Sequence, residues 1–284
     1  MKRILWILFW ILTATTISFG QATTLYYPHV TNGNLFGASI WKTTIFLANP
    51  SSGVASGSIT LYQDISTSPS AGVAFNSISF VDETGAPVGS GNTIPFQIGA
   101  GQSRKFTSTG AGDYHGGFAI VSANAPINGA AVFSAFYPDG TSSDGGLGAS
   151  AAVSKQAIFV DTTGGYNVGV ALANPTASAV TISLNLLLST GAAAGLPTTV
   201  TLGPNNHKAA LVTEFFPNAG TMVGTMQISG SAPVPDVALK FDSTFKVFTT
   251  LPPITLASLI SPAINWLGNN SVARLFTAFQ LRWS

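Results

Sequence analysis

Two copies of one short motif divide this chain and limit the folds open to it. Leu47-Ala48-Asn49-Pro50 and Leu172-Ala173-Asn174-Pro175 each open a similar block of fifteen residues. The match continues downstream at two further places, Ile98-Gly99 with Leu202-Gly203 and Ser122-Ala123-Asn124-Ala125-Pro126 with Ser229-Gly230-Ser231-Ala232-Pro233. The offset runs from 125 (174 − 49) to 104 (203 − 99) to 107 (233 − 126), so the copies differ by loop insertions and keep one order of elements. The pattern predicts an internal duplication.

The motif has the composition of a strand that ends in a turn. Trp41 to Asn49 is rich in β-branched and aromatic residues, and Pro50 then has no N–H to donate to a sheet. The carboxamide of Asn49 can accept the backbone N–H two residues on, which caps the turn. Gly57 to Tyr62 alternates apolar and polar residues, as the returning strand of a hairpin does. We expect Asn174 to cap an equivalent turn.

Similar runs, bounded by Gly, Pro, Asn or Ser, predict strands in the rest of both copies. In the first copy they are Asn76 to Val81, Thr93 to Ile98, Ser103 to Thr107, Gly117 to Ser122 and Gly129 to Tyr137. In the second they are Ala157 to Val160, Tyr166 to Ala173, Val180 to Leu188, Thr198 to Leu202, His207 to Val212, Val223 to Ser229, Asp236 to Phe241 and Lys246 to Thr250. Helical periodicity between residues 23 and 253 is limited to one turn at Thr213 to Phe216.

This density of short strands predicts an all-β chain of two tandem immunoglobulin-like β-sandwich modules. A small barrel is the alternative, whereas a parallel α/β fold is excluded because no segment offers crossover helices. Residues 139–146 have the composition of a loop. The boundary is therefore placed near Val153, with modules at 23–153 and 154–253.

The first residues predict export. Two basic residues precede an uninterrupted apolar stretch from Ile4 to Leu12, which is the pattern of a secretory signal peptide. Gly20 and Ala22 fit the small-residue cleavage pattern, so the leader is predicted to be residues 1–22, cut between Ala22 and Thr23, with Gly20 as the second choice. An uncleaved membrane anchor is the alternative, which the short apolar core disfavours.

Composition narrows the classes of partner. Without the leader, nine basic residues (11 − 2) stand against ten acidic ones, a formal charge of −1, and only 7% of the chain is charged. Such a chain has no basic field to hold nucleic acid, so nucleic acid is excluded as a partner. The absence of cysteine excludes disulfides, thiolate nucleophiles and zinc–cysteine sites. With 46% hydrophobic residues, the chain can form two domains that each bury a core.

Further motifs surround the repeated block. In the second copy they are Gly164-Gly165-Tyr166, Gly169 to Pro175, Thr213 to Pro217, Val237 to Phe241 and the closing Phe248-Thr249-Thr250-Leu251-Pro252; the first copy has Tyr27-Pro28-His29, Trp41 to Thr44, Leu47 to Pro50, Gly99 to Ser103 and Gly129 to Phe133. Over roughly residues 25–253 the chain resembles a family of secreted, acidobacterial-type bacterial proteins built from tandem β-sandwich repeats. The resemblance implies an extracellular module without known catalytic residues. One departure is that this chain continues for 32 residues (284 − 252) after the closing motif.

Residues suited to catalysis are few. His29, His115 and His207 lie in different motifs, and the chain lacks a Gly-x-Ser-x-Gly elbow and the histidine pairs that hold zinc on a helix. No catalytic, cofactor-binding or metal-binding residues are therefore assigned, with a triad assembled across the two modules as the alternative. Asp82-Glu83 is predicted to form a hairpin turn, because neighbours on a strand point to opposite faces and could not flank one bond.

One cluster has the composition of a ligand site. Asp113, Tyr114 and His115 stand beside glycines in a predicted loop and are the candidate ligand-binding residues. Asp139 and Asp144 bracket a Gly- and Ser-rich segment that is predicted to be a linker, with a calcium loop as the alternative.

Aromatic residues are mostly expected to pack in cores or at sheet edges. Trp41 and Tyr166 are equivalent at offset 125 (166 − 41), which favours a shared structural role.

Residues 254–284 have a helical period and are predicted to form two short helices. Ser261 would cap the first, with Pro262 at its first position and Gly268 at its end. A strand is the alternative for the last residues. The tail is interpreted as packing on the second module or docking a partner, and it is the one segment expected to allow membrane contact.

Together these features predict a secreted, non-enzymatic structural or interaction protein of the extracellular space or cell surface, with a protein or glycan partner that the sequence does not identify. A carbohydrate-binding or adhesive module is the alternative, and an enzyme is the third hypothesis. The first two hypotheses predict different exposure of the aromatic rings. A sugar-binding module should expose a row of coplanar aromatic rings, whereas a spacer should bury most of them.

Overall fold

A computed structural model describes residues 22–65 and 70–256, which form an all-β molecule of antiparallel sheets. The first half contains β1 (Thr24–Leu35), β2 (Ser39–Ala48), β3 (Ala55–Gln63), β4 (Val73–Ala74), β5 (Ser79–Val81), β6 (Pro87–Ser90), β7 (Thr93–Ile98), β8 (Ser103–Ser108), β9 (His115–Ala123), β10 (Asn128–Phe136) and β11 (Ser142–Gly148). The second half contains β12 (Val153–Asp161), β13 (Asn167–Ala173), β14 (Val180–Leu188), β15 (Thr198–Leu202), β16 (His207–Leu211), β17 (Val223–Val234), β18 (Asp236–Phe241), β19 (Phe248–Leu251) and β20 (Ile254–Thr255). A 3-10 turn at Thr163–Gly165 and one short helix, α1 (Val212–Phe215), complete the second half.

Strands form where apolar and polar residues alternate, because successive side chains of a strand point to opposite faces. In β14 the side chains of Val180, Ile182, Leu184 and Leu186 are buried, and the residues between them are exposed or half-buried. The even-numbered residues of β7 are buried in the same way. Each of these strands thus gives one face to a core. Four strands keep the predicted bounds: β7, β14, β15 and β18.

Two sheets face each other in the first half. One contains β1, β9, β3 and β7 in that order, with β4 also paired to β3. The other has the order β11, β10, β2, β8, β5 and β6. Strand β1 belongs to both sheets, because it pairs with β9 along most of its length and with β2 at its end, after a bulge between Tyr27 and Val30.

The second half repeats this arrangement of pairings. Its sheets are β20, β12, β17, β14 and β15, and β16, β13, β18 and β19. Six strand pairings of the first half have a counterpart in the second. In the first half they are β1/β9, β3/β9, β3/β7, β2/β8, β2/β10 and β10/β11. Their counterparts, in the same order, are β12/β17, β14/β17, β14/β15, β13/β16, β13/β18 and β18/β19. Strands β4, β5 and β6 are additional in the first half, between β3 and β7.

Hydrophobic cores lie between the facing sheets of each half. The first core includes Tyr27, Ile45, Ile59, Phe106 and Val121, and the second includes Ile158, Val170, Ile182, Met226 and Ile228. Nearly all of these side chains are fully buried. Burial of each large aliphatic or aromatic side chain is worth about 1.5–3 kcal/mol, so the cores supply the stability that disulfides cannot give a chain without cysteine.

A third core joins the two halves. Trp41 of β2, with Phe133 and Ala135 of β10, packs against Ala171, Val237, Leu239 and Phe248 of the second half. The sheet of β16, β13, β18 and β19 is therefore covered on both faces: Val170 contacts the second core and its neighbour Ala171 contacts the third. This explains why β13 reads as a nearly continuous apolar run, since both of its faces are buried.

Some elements differ from the sequence-based predictions. The first strand was not predicted, and residues 139–146, predicted to be a loop, include most of β11. The glycines and serines of β11 are held by seven register pairs with β10, which outweigh the low strand propensity of the segment. The tail predicted to be helical begins instead with β20, which pairs with β12. The rest of that tail and the signal peptide lie outside the described residues.

Two further features bear on the predictions. The single helical turn predicted at Thr213 to Phe216 is observed as α1, one residue earlier. Within residues 22–65 and 70–256, no helix has the length and apolar character needed to cross a bilayer.

Candidate functional site

A cleft of about 480 Å³ lies between the two halves. Its lining includes six ring side chains: His29, Trp41, Tyr114, Tyr137, Phe241 and Phe245. The first four belong to the first half and the last two to the second. A volume of this size lies in the range of small-molecule sites. Because the rings come from both halves, neither half forms the cleft alone.

The indole of Trp41 is fixed on three sides. Its Nε1 donates to Oγ of Ser39 at 2.9 Å, and its ring stacks on Phe248 with 5.3 Å between centroids. Tyr114 meets the indole edge-on at 6.2 Å. The donor and the ring are thus committed to contacts that hold the indole in one orientation, which pre-organises this wall of the cleft.

Small residues form the opposite wall. In the sheet of β16, β13, β18 and β19, Ala171 pairs with Ala209 and Gly169 pairs with Leu211, so these four residues share one face. A Cβ at Gly169 would lie 3.2 Å from Cε2 of Phe241, so this position has little spare room. The flat, small-residue surface leaves the space between it and the rings of the first half open.

The hairpin between β18 and β19 contributes Phe245 to the lining. Phe245 has a left-handed backbone, with φ of 57°, and its side chain is 43% exposed. A non-glycine residue in this region costs about 1–3 kcal/mol, which the surroundings must offset. Oδ1 of Asp242 accepts the N–H groups of Lys246 and Val247 at 3.0 and 3.1 Å, and the hydroxyl of Tyr137 donates to the carbonyl of Lys246 at 2.9 Å.

Charged side chains of the lining are engaged by neighbours. Oε1 of Glu214 accepts the N–H of Leu211 at 2.8 Å, and Nζ of Lys246 pairs with Oδ2 of Asp139 at 2.6 Å. The hydrogen bond from Lys246, supported by those from Thr141, holds the pKa of Asp139 well below its usual range, so its carboxylate stays ionised. These contacts leave the cleft with little free charge.

A carboxylate and two imidazoles form a chain across the two halves. Nδ1 of His29 lies 3.3 Å from Nε2 of His207, and the rings stack with 5.3 Å between centroids. Nδ1 of His207 is 3.5 Å from Oδ2 of Asp64, which is an ion-pair distance without hydrogen-bond geometry. Nδ1 of His29 and Nε2 of His207 are within hydrogen-bond distance, and one of these two nitrogens must donate to the other.

Burial makes His29 a poor base. The pKa of His29 is lowered to about 3, first by desolvation and then by the neighbouring His207, with Asp64 opposing both. The ring of Phe133 meets the imidazole edge-on at 5.4 Å. Among the described residues, neither imidazole of the chain is hydrogen-bonded to a hydroxyl group that could act as a nucleophile. We therefore interpret the row of Asp64, His207 and His29 as a polar link between the two halves.

The structure keeps two residues of the predicted ligand cluster together, because Asp113 and Tyr114 both line a smaller pocket beside the turn between β1 and β2. Tyr114 lines the cleft, and burial followed by the charge of Asp64 raises its pKa to about 12, so the phenol is un-ionised. Asp113 is exposed beside the turn that joins β1 to β2, next to Asn34. His115 begins β9 and contacts Nε2 of Gln63 through Nδ1 at 3.0 Å. His115 does not line the cleft or the smaller pocket, so the three residues do not form one site.

The acidic residues singled out from sequence are structural. Oδ1 of Asp82 accepts the N–H groups of Thr84 and Ala86 in the hairpin of β5 and β6, which confirms the predicted turn. Asp139 caps Thr141, while Asp144 is exposed on β11 and pairs in register with Ser134. Over the described part of the chain, no three His, Asp or Glu side chains are grouped closely enough to hold a metal ion.

The expectation that Trp41 and Tyr166 share one role is wrong. Trp41 is 8% exposed and lies in the third core, whereas Tyr166 is 42% exposed with Nζ of Lys240 over its ring at 3.9 Å. The difference follows from the junction, because the second half covers the face that carries Trp41, whereas Tyr166 is exposed among the described residues.

Most of the cleft was not found from sequence. Tyr114 and Trp41 were noted, but His29, Tyr137, Phe241 and Phe245 carry no motif that marks a site. The sequence contains one indirect signal of the cleft. At Gly169, Ala171 and Ala209 a sheet face carries small residues, where a face that packs in a core usually carries large ones. Convergence of residues 178 apart, as in His29 and His207, has no local signature.

The chain was also compared with known proteins. No family model matches it, and no curated protein matches it.

Proposed function

We propose that this chain is an exported, non-enzymatic interaction protein of the extracellular space or cell surface, and that it holds its ligand in the cleft between its halves. The observation that carries the proposal is the arrangement of six rings around a sheet face that carries Gly169, Ala171 and Ala209, at a junction that both halves build. Recognition sites commonly lie at such junctions, with apolar linings and few polar groups. The leader in residues 1–22 supports the exported location.

We also propose that the halves are two immunoglobulin-like sandwiches that arose by duplication, as in the secreted tandem-repeat proteins that the motifs resemble. Equivalent hydrogen bonds support this. Nδ2 of Asn49 donates to the carbonyls of Gly53, Ile98 and Gly99, and Nδ2 of Asn174 donates to those of Ser178, Leu202 and Gly203. The acceptors keep the offsets of 125 and 104 found in the sequence.

A binding role suits the polar groups better than catalysis does. The imidazole of His29 is neutral and is used by His207, and the ionised groups at the lining, Glu214 and Lys246, already have partners. The rings also differ from the flat row that a sugar-binding face presents: Trp41 and Tyr114 meet at 71° within a cleft. These contacts favour an interaction protein over the carbohydrate-binding alternative.

The proposal is tested by a thermal-shift screen with a matched pair of variants. Ala209→Trp places a large ring on the open face of the cleft, and Thr199→Trp adds the same ring at an exposed position of β15, away from it. The library contains oligosaccharides, amino acids, organic acids, amines and apolar ring compounds. A ligand present at 100 times its Kd stabilises a protein by about 2.7 kcal/mol, which a thermal shift detects.

The expected result is a group of compounds that stabilises the wild type and Thr199→Trp and fails to stabilise Ala209→Trp. If no compound of any class separates Ala209→Trp from its control, the cleft is not the binding site and the proposed function is wrong. Circular dichroism of both variants checks that the added ring has not unfolded the chain.

A further inference from the structure

The chemistry of the lining restricts the ligand, provided that the proposed binding role of the cleft holds. Apolar atoms dominate the lining: the rings of Trp41 and Tyr137 come from the first half, and Phe241 and Phe245 border the sheet face of Gly169, Ala171 and Ala209 in the second. Aromatic faces at different angles, combined with a flat wall of small residues, suit a ring compound that stacks on one ring and meets another edge-on.

Polar side chains of the lining are almost all used within the protein. The hydroxyl of Tyr137 donates to the carbonyl of Lys246, and Oγ1 of Thr244 donates to Asp242 at 2.7 Å. Oγ of Ser39 accepts from the indole of Trp41. Within the described residues, the hydroxyl of Tyr114 and Nε2 of His29 are the polar atoms of these rings that have no partner. The cleft can therefore satisfy one or two polar groups of a ligand.

A charged ligand is disfavoured in the cleft because the charged side chains of the lining are already used within the protein. The carboxylate of Glu214 and the ammonium of Lys246 each have an intramolecular partner, and an ionised ligand would have to displace one of them or lose its hydration without compensation. A sugar meets a similar penalty, because each buried hydroxyl without a partner costs about 1–3 kcal/mol.

We propose that the ligand of the cleft is a small, uncharged, predominantly apolar ring compound with at most two polar groups. It lies between the rings of the first half and the sheet face of Gly169, Ala171 and Ala209. A single hydroxyl or carbonyl of the ligand pairs with the hydroxyl of Tyr114. Phe245, on its hairpin, closes over the side of the ligand that faces solvent, so that part of the binding energy comes from an exposed residue outside every core.

The test uses two dyes that differ by one charge. N-phenyl-1-naphthylamine is uncharged at pH 7, and 8-anilino-1-naphthalenesulfonate has the same rings with a sulfonate. Both are titrated into the full mature chain, with fluorescence as the readout, and cellotetraose is titrated by calorimetry. We expect saturable binding of the uncharged dye at one site, binding of the sulfonate weaker by at least about tenfold, and no binding of the sugar.

Variants locate the binding. Ala209→Trp should weaken binding of the uncharged dye at least about tenfold, and Phe245→Ala should weaken it about threefold to tenfold. Phe245→Ala changes an exposed hairpin and leaves the cores intact, so it remains informative if the larger substitution disturbs folding. Thr199→Trp should bind as the wild type does, within about twofold, since its site is remote.

Each other outcome overturns the inference. Equal binding of the two dyes would show that the cleft accepts charge. Binding of cellotetraose that Ala209→Trp abolishes would make the ligand a sugar, while leaving the proposed role of the cleft intact. Absence of dye binding, or dye binding that neither cleft variant weakens, would remove the ligand class. The library screen decides separately whether the cleft binds anything.

Discussion

Single asparagines organise the two equivalent turns of this protein. Asn49 is 1% exposed, and its Oδ1 accepts both the N–H and the hydroxyl of Ser51, at 2.9 and 2.6 Å. Asn174 makes the same pair of contacts with Thr176, at 3.0 and 2.7 Å. The cap predicted from the Asn-Pro motif is confirmed at both sites. Each carboxamide nitrogen also donates to three carbonyls, so one of its two N–H groups is shared, and both the donors and the acceptor of the side chain are used.

We expect Asn49→Ala and Asn174→Ala each to lower the free energy of unfolding by about 2 kcal/mol, since each leaves several buried polar groups without a partner. The two losses should agree within about 0.5 kcal/mol and add in the double variant, because the sites lie in separate halves. Urea unfolding measures all three. Asn124→Ala is the control, because Asn124 makes one exposed contact, with the N–H of Ser56, and should cost less than about 1 kcal/mol.

A buried acid distinguishes the second half from the first at residue scale. Asp236 is fully buried, and neither oxygen of its carboxyl has a partner among the described residues. Its counterpart by register is Gly129, where a Cβ would collide with the hydroxyl of Tyr27. Burial raises the pKa of Asp236 well above its ordinary value, so folding favours the protonated carboxyl.

Asp236→Asn should therefore stabilise the protein at pH 7. Above the unfolded pKa of about 3.8 the unfolded chain releases this proton and the folded chain keeps it, so stability falls as pH rises, by up to about 1.4 kcal/mol per pH unit. The neutral amide removes that loss, and its advantage should shrink as pH approaches 4. Urea unfolding at pH 4 and pH 7 measures this, with Asp144→Asn on the exposed face of β11 as the control. If Asp236→Asn is less stable than wild type at both pH values, the carboxyl has a hidden partner.

At the scale of elements, close contacts between neighbouring strands recur in the two halves. A Cβ at Gly117 of β9 would collide with the carbonyl of Tyr62 on β3, and a Cβ at Gly224 of β17 would collide with the carbonyl of Leu187 on β14. These glycines correspond at offset 107 (224 − 117), and the carbonyls correspond at offset 125 (187 − 62). Both glycines are needed because the strands approach too closely for a side chain, without any unusual backbone torsion.

We predict that Gly117→Ala and Gly224→Ala each cost about 2 kcal/mol or more in the free energy of unfolding, because the added methyl must push a paired strand away. Gly148→Ala in β11 is the matched control. Its Cβ would have no atom within 4 Å, so the substitution should be neutral or stabilise by about 0.5 kcal/mol through the unfolded state. Similar losses at Gly148 and Gly117 in urea unfolding would show that strand propensity, and not the close contact, sets the effect.

Elements also show what the sequence could predict. The bounds of β14 and β18 follow from alternation or from a bounded apolar run, and the Asn-Pro turns follow from side-chain chemistry. Strand β1 was missed because nearly all of its residues are buried, so it has no alternation, and because Pro28 interrupts it at a bulge. Strand β11 was missed because its place is set by tertiary contact: a Cβ at Gly145 would lie 2.9 Å from the ring of Phe248.

At the scale of the whole molecule, the two halves behave as one body because a third core and a polar chain connect them. The chain of Asp64, His207 and His29 links segments of both halves, and Asn206 adds hydrogen bonds to Ile65 and Ser70. Sequence alone could not predict the cleft, since it depends on which faces of the two sandwiches meet. That choice is made by complementary surfaces, such as Trp41 against Phe248, and not by any local pattern.

Acid should loosen this connection. The pKa of His29 is about 3 in the folded state and 6.5 ordinarily. Between pH 3 and pH 6.5 the imidazole is therefore protonated in the unfolded chain and neutral in the folded one. Stability is therefore lost as pH falls from about 6.5 towards 3, by up to about 1.4 kcal/mol per pH unit. His29→Gln should flatten this part of the profile in urea unfolding, and His115→Gln, outside the junction, should leave it steep. Equal slopes for wild type and His29→Gln would contradict the assignment.

Export is tested on the whole chain. If residues 1–22 form a cleaved leader, the intact mass of the exported protein corresponds to a chain that begins at Thr23. Cleavage after Gly20 would add two residues to that mass. A species in the exported fraction that retains the leader would replace a released protein with a membrane-anchored one, and the cleft would then act close to a bilayer.

The sheet of β16, β13, β18 and β19, which is covered on both faces, makes the two halves differ in what each needs from its neighbour. The face of the first half that carries Trp41 requires a neighbour, and the second half supplies it, whereas the corresponding position in the second half, Tyr166, is already suited to solvent. The two halves are therefore not interchangeable. The first half without the second would expose the surface around Trp41 to water.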